Sequence, residues 1–200
     1  MDARTPAKDT RHELFITDHA AFRWKMTDSG VVVTADGLSW AIDGAMSERK
    51  YSDIFSIRLH RASAGTGAGV GVCDIRFRDG LTLNVYGGSA QGLADGEQNA
   101  RFAAFVRDLH KRLARRDNTT SITFNAGLSE GRYTVLTVAL VGAGILFGLL
   151  PLGLLIMIRD LHTLILFGTA AGLLWSFYML WDKNRPRPYS PDHVPEDLLS

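Results

Sequence analysis

Cysteine is nearly missing from this chain. Cys73 is the only one in 200 residues, so no disulfide can close within the chain and no cysteine-rich metal site can be built. That usage fits a reducing compartment. Net charge is small as well. Lys and Arg number 22 against 21 Asp and Glu, a formal +1, without the basic excess of nucleic-acid binders. No nucleic-acid partner is expected. The first fifteen residues (MDARTPAKDTRHELF) hold no apolar core of a signal peptide, and no cleaved leader is expected.

Complete catalytic motifs are missing too. The glycines from Gly65 to Gly71 never form a full G-x-G-x-x-G, and a strand pattern follows them where a nucleotide site needs a helix. They read as a hairpin connection. Gly87-Gly88-Ser89-Ala90-Gln91 lacks the last glycine of a nucleophile elbow. His12-Glu13 begins a zinc-binding H-E-x-x-H, but Ile16 stands where the second histidine belongs. His60 and His110 read as surface residues, and no pair of carboxylates stands out as an acid/base couple. The expectation is a chain with no catalytic residue, no cofactor and no metal.

What the sequence has in quantity is apolar length near its end. Residues 133–158 and 161–181 are two apolar runs separated only by Arg159 and Asp160. A helix crossing a hydrocarbon core of about 30 Å needs roughly 20 such residues. As one helix the pair would reach on the order of 70 Å, so the chain is expected to reverse between them as a two-helix transmembrane hairpin. Lys111, Arg112, Arg115, Arg116 and Arg132 precede the first run; Lys183, Arg185 and Arg187 follow the second. By the positive-inside rule both termini are expected in the cytoplasm. Gly144 with Gly148, and Gly168 with Gly172, are small-xxx-small pairs near the middle of each run. They are expected to pack the two helices together or to join two copies as a homo-oligomer. No ionisable residue lies deep in either run, which argues against an ion path.

Ahead of the runs, residues 11–117 read as a soluble domain, after a polar stretch over 1–10 expected to be disordered. Short segments alternate apolar and polar residues, as half-buried strands do. Phe55, Ile57 and Leu59 share one expected face, and so do Cys73, Ile75 and Phe77. Asp79-Gly80 marks a tight turn. Near Asp95 the period changes. Asp95 and Gln98 have capping-box spacing, and Phe102, Phe105, Val106, Leu109 and Leu113 recur at helical intervals. Residues 118–132 read as a linker, with one more short strand possible over 119–124.

The stretch Val33-Thr34-Ala35-Asp36-Gly37-Leu38-Ser39-Trp40, followed by Tyr51-Ser52-Asp53-Ile54, resembles the turn and strand entry of bacterial pleckstrin-homology (PH)-like domains. The resemblance covers about residues 20–116. It implies an α+β soluble domain, an antiparallel PH-like sheet or barrel with a C-terminal helix, cytosolic and attached to the bacterial inner membrane by the hairpin. In several such proteins the hairpin precedes the domain; here it follows.

Arg23, Lys25, Arg58, Arg76 and Arg78 alternate with core positions on three expected strands. On one face they could meet an anionic membrane, each contributing up to roughly 1 kcal/mol. The plainer alternative is a solvated sheet face. Phosphoinositide-binding PH domains carry basic residues at the first hairpin turn; the turns here are acidic or neutral, so that activity is not carried over. The tail over 182–200 holds Pro186, Pro188, Pro191 and Pro195, the composition of an extended docking segment or a solvated end. Together these features predict a membrane-anchored module that binds an unidentified protein or peptide partner. The alternatives are an anionic-lipid sensor and an accessory subunit of a membrane complex.

Overall fold

The structure is a computed structural model that describes residues 9–18, 30–42, 44–63, 69–89, 95–115, 121–149, 152–153 and 162–199. It divides into two compact units. One comprises Met1–Gly127 together with Arg187–Ser200, and the other is Leu128–Pro186.

The first unit is mostly sheet. Strands β1 (Thr10–His12), β3 (Val31–Val33), β4 (Gly37–Ile42) and β5 (Ala45–Lys50) form a four-stranded sheet in the order β1-β3-β4-β5. A six-stranded sheet runs β10-β9-β6-β7-β8-β2. Its members are β2 (Phe15–Thr17), β6 (Ile54–Ser63), β7 (Gly69–Phe77), β8 (Thr82–Tyr86), β9 (Thr123–Ala126) and β10 (Arg187–Pro188). β1 and β2 are separated only by Glu13 and Leu14, so the chain changes sheets at one corner. Helix α1 (Gly96–Ala114) follows β8. Asp95 caps it, its carboxylate accepting from the Glu97 and Gln98 amides, which supplies two of the orphan donors of the first turn.

One core joins both sheets and the helix. Trp40 of β4 stacks on Phe77 of β7 at 5.7 Å between ring centroids. Phe102, Phe105, Val106, Leu109 and Leu113 of α1 are buried against them. The two segments of the T-x-D-G-L and Y-x-D-I patterns touch each other. The Tyr51 amide donates to the Asp36 carbonyl at 3.0 Å, and its hydroxyl donates to the Thr34 carbonyl at 3.0 Å. Gly37 is obligatory here, because a Cβ would lie 2.1 Å from the Arg49 carbonyl oxygen on the neighbouring strand.

Three features depart from the sequence pattern. Phe55 is 48% exposed instead of facing inward with Ile57 and Leu59. A bulge between Ile54 and Ser56 makes it the extra residue of β6, so Ile54 turns into the core in its place. His60 and His110 are buried, not on the surface. The tail over 187–199 belongs to the first unit. β10 pairs with β9, and Leu198 and Leu199 are buried in the core.

The second unit holds α2 (Glu130–Gly144), a π-helical turn over Ile145–Leu149, and α3 (His162–Lys183). Tyr133 of α2 stacks on Trp181 of α3, and the Trp181 indole N–H donates to the Thr137 hydroxyl at 2.8 Å.

The expected fold class is therefore corrected. An α+β PH-like sheet or barrel followed by a two-helix transmembrane hairpin is not what the chain adopts. It has two sheets with three α-helices among the described residues. The second sheet gains β9, parallel to β6, and β10, whose pairing partners lie far away in sequence; period-two alternation reports faces and not partners. Among the described residues only one helix is long and apolar enough to cross a membrane. It is Glu130–Phe147, 18 residues with a mean hydropathy of 1.3. The expected reversal at Arg159 and Asp160 lies outside the described residues.

Candidate functional site

Helix α1 lines one wall of a surface groove of the first unit. Arg107, Lys111 and Arg115 stand four residues apart, and four residues are about one helical turn, so they line one stripe. Across from them runs the C-terminal segment with Asp192, His193 and Glu196. Between the two lies a groove of about 660 Å³. The Arg107 guanidinium and the Glu196 carboxylate pair across it. Lys111 and Arg115 are exposed. No ion pair to either is found among the described residues.

The far wall is held in place by an aromatic cluster. His110, Phe124 and Tyr189 have ring centroids 5.6 Å apart in each pair. His110 Nδ1 lies 2.7 Å from the Val106 carbonyl and Nε2 lies 2.8 Å from the Tyr189 hydroxyl. A carbonyl only accepts, so Nδ1 carries the proton and Nε2 accepts from tyrosine. Burial lowers the His110 pKa to about 4 and pushes that of Tyr189 upward, so the neutral pair is the stable one. The Tyr189 amide also donates to the Phe124 carbonyl at 3.2 Å.

A second polar cluster fastens α1 to the first sheet. Arg112 Nε donates to Asp108 at 3.0 Å, Nη1 to the Thr34 carbonyl at 3.1 Å, and Nη2 to the Thr10 hydroxyl at 3.0 Å. His12 Nε2 lies 3.5 Å from the same Asp108 carboxylate. Burial lowers the His12 pKa, and the Asp108 contact opposes that shift. A buried guanidinium with a carboxylate and two further acceptors is fully engaged, so this cluster is structural.

The basic sheet face is only partly assembled. Arg58 stands opposite Asp74 in the β6–β7 register and donates to the Gly127 carbonyl at 3.4 Å. Arg76, opposite Ser56, is exposed on the same face. Arg78 lies beyond the end of β7 and donates to the Ser52 carbonyl at 3.2 Å. Arg23 and Lys25 lie outside the described residues. Of the glycines expected to pack helices, Gly144 ends α2, Gly148 lies in the π turn, and Gly168 and Gly172 lie in α3. Among the described residues, a Cβ added at Gly144, Gly168 or Gly172 would meet no atom within 4 Å beyond its own helix backbone. The described contacts between α2 and α3 are aromatic and lie near Tyr133 and Trp181. Among the described residues no three His, Cys, Asp or Glu side chains gather as a metal site.

Sequence reasoning missed the groove because its far wall is the tail. Lys111 and Arg115 read as helix-end cations that favour the dipole, and nothing local announced that residues 187–199 return to α1. The available signal was the apolar content of the tail, Tyr189, Val194 and the Leu198-Leu199 pair, all of which pack in or against the core. No family model matches this chain, and no curated protein or solved structure matches it either.

Proposed function

We propose that this chain is a membrane-anchored, non-catalytic interaction module. Its sheet-rich unit binds a protein or peptide partner at the cytoplasmic face of a bacterial inner membrane. The observation that carries the reading is where apolar surface is left uncovered. Of the 14 large hydrophobic residues exposed among the described residues, 12 lie between Val135 and Met179, in the second unit. Apolar surface that dense needs lipid or protein to cover it. The apolar helix Glu130–Phe147 is the anchor in this reading.

The first unit supports the placement. Ala126 and Arg187, which flank the insertion, are paired across β9 and β10, so the inserted segment leaves and returns at neighbouring positions of one sheet. Both flanks then lie on one side of the bilayer. Arg132, Lys183 and Arg185 near the helix ends favour the cytoplasmic side. Tyr133, Tyr178 and Trp181 cluster there with centroids 5.5 Å and 5.7 Å apart, the amphipathic aromatic composition of a headgroup region. The lipid-sensor alternative has less support, because Asp74 faces Arg58 within the basic row.

Alkaline extraction tests the anchor. The full chain is expected to stay with the membrane fraction in carbonate and to enter solution only with detergent. A chain that is soluble without detergent would refute the reading.

A further inference from the structure

The groove beside α1 goes further than membrane tethering, and what it implies rests on the reading of the chain as an interaction module. We propose that this groove docks an extended acidic segment of a partner protein, with carboxylates at alternate residues against Lys111 and Arg115.

Three observations converge. The groove already holds a carboxylate, since Glu196 of the chain's own tail pairs with Arg107 at one end of the cationic stripe. The next two cations, Lys111 and Arg115, are exposed and face the same groove. Their spacing suits an extended chain. Four helical residues advance about 6 Å, and two strand residues advance about 6.6–6.8 Å, so every second side chain of a strand meets every fourth of the helix.

The opposite wall decides the character of the other side chains. Asp192 and His193 stand there, so the groove is cationic on one side only. An extended peptide sends alternate side chains to opposite sides. Glutamates toward α1 and neutral or basic residues toward the tail satisfy both walls. A bilayer surface is flat and cannot enter between α1 and the tail, which favours a peptide over an anionic membrane.

The test uses the full chain in detergent micelles and a fluorescein-labelled heptapeptide of alternating glutamate and serine, read by anisotropy at low salt. Binding is expected, and it should exceed that of a peptide of equal composition with its glutamates contiguous. The double substitution Lys111→Gln, Arg115→Gln should weaken binding roughly tenfold. Both side chains are exposed, so the variant should keep the wild-type circular dichroism; Lys111→Gln alone gives a second reading at smaller perturbation. Glu196→Gln frees Arg107 and should tighten binding several-fold. Unchanged affinity in the glutamine variants would overturn the proposal, as would indifference to Glu196→Gln. It would also fall if phosphatidylglycerol vesicles competed for Lys111 and Arg115 while the peptide did not bind. Carbonate extraction of the same variants separates the two ideas. A chain that stays in the membrane yet ignores the peptide loses the groove and keeps the module.

Discussion

The imidazole of His110 accepts a hydrogen bond from the hydroxyl of Tyr189 at 2.8 Å, between residues 79 positions apart in the chain. The apolar helices are inserted between them in the sequence, so within the first unit this bond ties the returning tail to α1. Tyr189→Phe keeps the ring contacts with His110 and Phe124 and leaves Nε2 buried without its donor. Such a loss costs about 1–3 kcal/mol. Urea unfolding of the full chain in mild detergent should show a lower midpoint for this variant.

The same pair makes stability depend on pH. His110 titrates near 4 in the folded chain against a usual 6.5. Between those values the unfolded chain binds the extra proton, so stability rises with pH there. The contribution is complete above about pH 6.5 and is lost as pH falls toward 4, on the order of 3 kcal/mol in all. His12, also lowered by burial, acts in the same direction. Melting temperatures from pH 7.5 to 4.5 should fall, and His110→Gln should flatten the slope. An unchanged slope in that variant would assign the effect to other groups.

Phe105 and Leu198 report on the two layers that cover the sheets. Both are fully buried, at 0% and 1% exposure. Phe105→Ala should remove about 3–5 kcal/mol and Leu198→Ala about 2–5 kcal/mol. Denaturant melts of both variants distinguish a packed tail from a loose one. A Leu198→Ala loss below about 0.5 kcal/mol would mean that the tail only rests on the surface.

Where the determinants were local, the sequence was legible. Cys73, Ile75 and Phe77 face the core as their alternation predicts, and Trp40, Phe77 and Phe105 are interior. Asp95 caps α1, although only one half of the expected capping box is formed, for Gln98 Oε1 has no hydrogen-bond partner among the described residues. Phe55 misled because a bulge leaves no mark in a run of alternating residues. His60 and His110 misled because burial of a histidine depends on partners, here Asp74 and Tyr189, that only the fold supplies. Four prolines made the tail look extended and free. It is extended in part, but Leu198 and Leu199 return it to the core. The parallel pairing of β9 with β6 joins residues on opposite sides of α1 in the sequence, and no local period encodes such a contact.

The central claim is that an apolar insertion leaves and re-enters one folded unit on one side of a membrane. Single cysteines at Ser129 and at Arg185, each in a Cys73→Ser background, test it most directly when probed with a membrane-impermeant maleimide. Both should be labelled in inside-out vesicles and protected in right-side-out ones. Labelling of the two positions from opposite sides would contradict the account, because Ala126 and Arg187 could not then pair in one sheet.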